Sequence, residues 1–239
     1  MMKNTVKRVI HNLGYTVRRI PPTGGDPFVD MRRLAPAKAL IFDVGANRGQ
    51  SIENFRRYFD DPEIHSFEPG ELAFRDIKAF ASRISNVTVV NVGLGAQRGP
   101  KMFIENEQSE LSSFLEPGSA AWGSVVRRRH SIELDTIDNY CERAQISHID
   151  ILKSDTQGYD LEVLKGARRM LSEKRIRLVY IEVIFSEMYE GCPRFDETFG
   201  FLADHGFTLV SFYEMHYQSD MLSWTDALFI CKDGARLVQ

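Results

Sequence analysis

The sequence predicts an α/β fold: a mostly parallel seven-stranded sheet, helices on both of its faces, and a small inserted set of strands. Three observations lead there. From Lys38 onward, short apolar runs alternate with amphipathic stretches of helical period, the rhythm of strand–helix–strand units. Several of the runs are apolar almost throughout, as suits strands covered on both faces. The runs also end in polar residues, Asp43, Glu68, Asn91, Asp155 and Glu182, at the edge where a parallel sheet holds its ligands.

The elements follow in order. Leu40–Asp43 reads as a buried strand; Ser51–Phe59 is a helix with Ile52, Phe55 and Phe59 on one face, stopped by Asp60-Asp-Pro62. Ile64–Phe67 is the second strand. Leu72–Ile84 is the second helix, with Leu72, Phe74, Ile77 and Phe80 inside. Val87–Val92 is a third strand, β-branched and covered on both faces. Lys101–Ile104, Ser112–Leu115 and Arg129–Leu134 are the inserted strands, within about residues 100–135. A helix over Ile137–Ala144 opens on the capping stretch Asp135-Thr-Ile-Asp138. Ile149–Asp155 leads into a helix over Asp160–Leu171, Arg177–Phe185 into a helix over Phe195–His205 that Gly206 ends. Phe207–Tyr213 and Ala227–Cys231 complete the sheet as an antiparallel pair around a long loop.

Residues 1–37 form a basic arm and 38–239 the domain, with the breaker cluster Pro21–Pro27 between them. Thr5–Leu13 fits a short basic amphipathic helix, which would pack, pair two copies in a homodimer, or touch an anionic membrane surface. A chain of 239 residues with 43% hydrophobic and 26% charged residues and a net charge of −3 suits one large globular domain. It lacks the basic imprint of nucleic-acid binding. Three scattered cysteines, no zinc spacing, no signal peptide and no membrane-length apolar run indicate a cytoplasmic protein.

Phe42-Asp-Val-Gly-Ala-Asn-Arg-Gly49 is a strand-to-helix turn with small residues, and Phe67-Glu-Pro69 ends the next strand in an acid. A backbone turn there approaches a ligand closely, and Glu68 is placed to accept hydrogen bonds from a ribose diol. The turn lacks the third glycine of a dinucleotide fingerprint, which counts against a nicotinamide cofactor. Asp43 is placed to orient the turn or to meet a ligand ammonium, directly or through water. His65 reads as a packed residue. Asp155, in Lys153-Ser-Asp-Thr-Gln-Gly-Tyr-Asp160, suits an ammonium ligand, a metal ligand or a proton acceptor, while Asp155 or Asp160 also suits a helix cap.

With Asn91-Val-Gly-Leu-Gly95, Ser112-Ser113, Leu134-Asp-Thr-Ile-Asp138, Leu152-Lys-Ser-Asp155 with Gly158, and Ile181-Glu-Val183, these segments resemble the FkbM family of S-adenosylmethionine-dependent methyltransferases over about Ala39 to Ile184. The resemblance implies the class I methyltransferase fold, which is Rossmann-like, and O-methylation of a hydroxyl on a sugar, glycan or sugar-bearing secondary metabolite. It implies S-adenosylmethionine held by Asp43, Gly45, Asn47, Gly49, Ser51, Glu68, Pro69, Asn91, Val92, Ser113 and Asp155. The chain departs from the family's fourth-strand motif: Ser154 and Thr156 stand at hydrophobic places, Gln157 at the first glutamate and Asp160 at the last. Gln157 cannot act as a base.

Asp155 is the leading candidate base, with Glu182 and His216 as alternates; divalent-metal assistance by Asp155 and Glu182 is open but nothing compels it. Trp122, Arg127, Arg129, Gln157, Tyr159, Tyr217 and Trp224 are candidates to hold the acceptor, with Trp122, Tyr213, Tyr217 and Trp224 offering ring faces and the arginines anion contacts. Competing readings are an NAD(P)-dependent oxidoreductase and a catalytically silent cofactor-binding module.

Overall fold

The computed structural model describes residues 12–13 and 23–232; the helix expected over Thr5–Leu13 falls almost entirely outside them. In chain order the elements are α1 (Pro27–Leu34), β1 (Leu40–Val44), α2 (Gln50–Tyr58), β2 (Glu63–Phe67), α3 (Glu71–Ala81), β3 (Val87–Val90), β4 (Gly93–Leu94), β5 (Gly99–Asn106) and β6 (Val126–Asp135). They continue with α4 (Ile137–Ala144), β7 (Ile149–Ser154), α5 (Asp160–Lys165), α6 (Arg168–Ser172), β8 (Ile176–Ile184), α7 (Phe195–Asp204), β9 (Phe207–Gln218) and β10 (Met221–Cys231).

Seven strands form the main sheet in the order β3-β2-β1-β7-β8-β10-β9. The first five are mutually parallel and β9 runs in the same direction, so β10, antiparallel to both β8 and β9, is the one reversed strand of this sheet. Strand order reverses between β1 and β7, so a crevice opens beyond their carboxyl ends. Successive side chains leave a strand on opposite faces. Ile41 and Ile151 therefore join one apolar cluster, Phe42 and Leu152 the other. Helices α1 to α3 cover the first face through Met31, Ile52, Phe55 and Ile77; α4 to α7 cover the second through Ile137, Val163, Met170 and Leu202. Each such side chain, fully buried, contributes about 1.5–3 kcal/mol.

Several expectations need correction. Leu72 is exposed, because α3 turns Ala73, Ile77 and Ala81 inward instead. β3 is the sheet edge and only half-buried, and its chain leaves at Val90 to start the three-stranded sheet β4-β6-β5. Ser112–Leu115 is not a strand: Ser113 makes a single bridge to Ile104, after a 3-10 turn over Ser109–Leu111. The helix expected over Asp160–Leu171 breaks at Gly166, whose Cα lies so close to Gly95 that a Cβ would sit 2.1 Å from the Gly95 carbonyl oxygen. Asp138 then caps α6 by accepting from the Arg169 and Met170 N–H groups. The long loop before the last strand is instead a two-residue turn, Ser219–Asp220, both left-handed, which lengthens both strands.

The packed body starts ahead of Lys38. Met31 is fully buried on α1, and Asp30 accepts hydrogen bonds from the Tyr213 hydroxyl (2.8 Å) and the Gly24 N–H (2.6 Å).

Candidate functional site

The turn after β1 fixes one wall of the crevice. Gly45 has φ +73°, and a Cβ there would stand 1.9 Å from the Asp155 carbonyl oxygen. The close approach that requires glycine is thus to the end of β7, within the protein itself. The N–H groups of Gly45 and Ala46 donate to the Phe67 carbonyl (3.0 and 3.2 Å), stitching the ends of β1 and β2 together. Asn47, itself left-handed at φ +46°, donates its N–H to Glu68 Oε2 (2.8 Å), and Gly70 donates to Oε1 (2.7 Å). Glu68 is 7% exposed, and burial pushes its carboxyl up to about 7 against the pull of those two N–H groups. Each oxygen keeps a lone pair for a further donor.

The crevice encloses roughly 250 Å³. Of the residues named from sequence for the cofactor, Gly45, Asn47, Ser51, Glu68, Pro69, Val92 and Asp155 line it, together with Gln157, named for the acceptor. Four other residues of that set do not. Asp43 is fully buried beneath the turn; Gly49 starts α2 and packs on Phe80; Asn91 donates to the Glu68 and Pro69 carbonyls from outside; Ser113 donates to the Gln157 carbonyl (2.8 Å). Ser109, Glu110, Ser112, Phe103 and Phe114, from the inserted region, close the opposite wall. Ser109 also donates to Asn47 Oδ1 (2.9 Å), joining the two walls.

At the end of β7 the sequence reading missed Lys153. Its ammonium, 7% exposed as a residue, lies 3.1 Å from Asp43 Oδ1, 3.2 Å from the Gly45 carbonyl and 3.7 Å from Asp155 Oδ2. Burial alone would lower its pKa, but Asp43 and Asp155 outweigh it and hold the ammonium charged. Asp155 is 43% exposed on its side chain. Gln157 stands between carboxyls: its amide donates to Asp155 Oδ1 (2.9 Å) and Glu182 Oε2 (3.1 Å), and its Oε1 accepts from the Tyr189 hydroxyl (2.7 Å). Burial, then the charges of Asp155, Asp160 and Asp226, push Glu182 well above the carboxylate range. The motif departures at 154 and 160 belong together, since the buried Ser154 hydroxyl donates to Asp160 Oδ1 (2.5 Å).

A second crevice meets the first at Ser51, Lys153 and Asp155. Phe28, Tyr180 and Tyr213 supply aromatic surface, and Asp26, Glu214 and Asp226 supply carboxylates. Tyr180 donates to Asp226 (2.6 Å), whose carboxyl burial nevertheless raises to about 6.

The remaining predicted acceptor residues lie elsewhere. Trp122 is 80% exposed on a loop; Tyr217 is exposed near the hairpin tip; Tyr159 is buried against Phe114. Arg129 is held by Glu116 through two hydrogen bonds (3.0 and 2.7 Å), and Arg127 is exposed on β6. His216 stacks on Trp224 at 4.7 Å on the paired strands β9 and β10, and neither lines the crevices. Among the described residues, no group of three or more His, Cys, Asp or Glu is arranged to hold a metal ion, and no helix is long and apolar enough to cross a membrane.

Sheet order and crevice together define a class I methyltransferase fold. Residues 43–209 match the family model of the methyltransferase FkbM domain, and the chain belongs to that family. The 2-O-methyltransferase NoeI of Sinorhizobium fredii is 22% identical over 64% of this chain and 66% of its own. Methyltransferase sdnD of Sordaria araneosa is 25% identical over 55% of this chain and 61% of its own. The chain thus spans slightly less than two thirds of these curated relatives. A crystal structure of methyltransferase FkbM from Methylobacillus flagellatus superposes with a TM-score of 0.52 at 16% identity, covering 80% of this chain and 44% of that one. Family membership sets aside the oxidoreductase reading.

Proposed function

We propose that the protein transfers a methyl group from S-adenosylmethionine to a hydroxyl oxygen of a sugar, glycan or sugar-bearing metabolite. The observation that carries the reading is the position of Asp155, which lines both the crevice ending in Glu68 and the aromatic, acidic crevice beside it. Glu68 fits a ribose diol: it is buried, fixed by two N–H donors, and has acceptor capacity left on each oxygen. When bound, S-adenosylmethionine supplies an electrophilic methyl on a sulfonium. The protein's part is to align the acceptor oxygen for in-line attack and to take its proton.

Asp155 is placed for the proton. Glu182 suits that role less, because burial and neighbouring acids favour its neutral form. Phe28, Tyr180 and Tyr213 offer faces for the C–H side of a sugar ring, and Asp26, Glu214 and Asp226 offer acceptors for its hydroxyls. Carboxylates in that wall disfavour anionic acceptors, nucleic acid included. The distant relation to a 2-O-methyltransferase supports transfer to oxygen.

The test is incubation with methyl-labelled S-adenosylmethionine and a panel of glycans, free sugars, sugar nucleotides and hydroxylated metabolites. Label on a sugar oxygen supports the reading. Label on nitrogen or protein alone overturns it, and cofactor binding with no transfer to any acceptor returns the silent-module reading.

A further inference from the structure

Among the described residues, the Gln157 side chain hydrogen-bonds both acids at the ends of β7 and β8, Asp155 and Glu182. Its two amide hydrogens go to Asp155 Oδ1 (2.9 Å) and Glu182 Oε2 (3.1 Å), and its oxygen takes the Tyr189 hydroxyl proton (2.7 Å). The backbone is fixed as well. Gln157 sits at φ +55°, the Ser113 hydroxyl donates to its carbonyl, and the next residue, Gly158, is also left-handed at φ +86°. Both amide hydrogens and one lone pair of the amide oxygen are thus engaged within the protein, which leaves a single lone pair of Oε1 for a ligand.

We propose that Gln157 is a positioning residue: clamped from behind by Tyr189, its amide aims the Asp155 carboxylate into the crevice and ties Glu182 behind it. Asp155 therefore alone of the two acids meets the reacting atoms. The two acids differ in what surrounds them. Asp155 faces Lys153 at 3.7 Å and open crevice, and carries 43% exposure. Burial first, then the charges of Asp155, Asp160 and Asp226 against the opposing Lys153, favour the neutral form of Glu182. An amide suits a gap between two carboxyls, since it donates to both and adds no charge. An ionised glutamate in the same place would supply no donor, and a protonated one a single donor, with a third acid within hydrogen-bond distance of the other two.

This inference rests on the proposed cofactor, so its test separates the two. Calorimetry measures the affinity of S-adenosylmethionine and S-adenosylhomocysteine for the wild type, Gln157→Ala, Gln157→Glu and Tyr189→Phe, between about pH 6 and 8.5. Wild-type binding of S-adenosylhomocysteine tests the cofactor itself. The ratio of the two affinities tests Gln157, because the ligands differ in the sulfonium charge beside Asp155 and share the ribose on Glu68. Loosening Asp155 in Gln157→Ala should reduce the preference for the sulfonium about fivefold, the worth of one hydrogen bond, with Tyr189→Phe moving the same way by less. Gln157→Glu should make the ratio depend on pH, rising toward high pH as the three acids lose a shared proton. A merely structural residue would shift both affinities together. Ratios within twofold of wild type in folded Gln157→Ala, with no pH dependence in Gln157→Glu, would overturn the proposal.

Discussion

The two halves of the cleft are built from different materials. On the Glu68 side, backbone does most of the work: four N–H groups, of Gly45, Ala46, Asn47 and Gly70, fix the ends of β1 and β2 and the one carboxyl between them. On the Asp155 side, side chains hold one another: Lys153 to Asp43, Gln157 to Asp155 and Glu182, Tyr180 to Asp226. Backbone donors survive every substitution but proline, so the first half is insensitive to most changes of side chain and suits a ligand that stays the same. Side-chain networks change residue by residue, so the second half can be altered one substitution at a time.

Four substitutions bear on that comparison, taken from the largest expected effect down. Asp155→Ala should lower methyl transfer by about 10²–10⁴, the usual weight of a general base, while S-adenosylhomocysteine binding changes much less. Steady-state kinetics on an acceptor found by the panel, beside calorimetry, separates the two halves. Glu68→Ala should do the converse, weakening cofactor binding by about 1.5–3 kcal/mol through loss of a charged acceptor. Unchanged affinity in calorimetry removes Glu68 from the ribose. Gly45→Ala should destabilise the fold by about 1–3 kcal/mol, because the new Cβ meets the Asp155 carbonyl and φ stays positive. Chemical denaturation measures this directly. Trp122→Ala, outside both halves, should stay within about 0.5 kcal/mol of wild-type stability and leave cofactor binding alone.

The Glu68 half answers to pH through its one carboxyl. The Glu68 carboxyl sits at about 7 in the folded chain against an ordinary 4.5. Its raised value means that folding favours the protonated form. Stability from this group is complete below about pH 4.5 and is lost as pH rises through about 7. Ribose hydroxyls donate best to the ionised form, so cofactor affinity should rise over the same interval. Calorimetric titration of S-adenosylhomocysteine from pH 6 to 8 checks the sign, and Glu68→Gln should flatten the curve.

The sequence made the first half readable because its parts are neighbours in the text. Gly45, Asn47 and Glu68 flank two consecutive strands, and a strand end followed by a small-residue turn has one natural reading. Asp43 and Lys153 show the limit. Both were visible, but only the register of β1 against β7, which sets Asp43 beside Lys153, shows that the acid faces a lysine beneath the turn and not the crevice. The second crevice was less legible still. Asp26, Tyr180, Tyr213 and Asp226 come from four segments, and their meeting depends on α1 packing across the sheet and on the full length of β9 and β10. Ser219–Asp220 carries no asparagine–glycine signal, so a tight reversal read as a long loop. The aromatic candidates Trp122, Tyr217 and Trp224 were chosen as aromatics of the inserted region and the late loop, and such a choice fixes neither the course of a loop, as at Trp122, nor the side of a strand, as at Tyr217 and Trp224.

The reversed strand β10 has a consequence for how such enzymes diversify. Because it runs against the others, its first residues and the last of β9 stand at the same rim as the carboxyl ends of the parallel strands. The join at Ser219–Asp220 therefore hangs free of the sheet's hydrogen-bond ladder, and extra residues inserted there extend an overhanging arm without shifting any register below it. Grafting a longer arm at that point is the least disruptive route to a new clientele for the same chemistry.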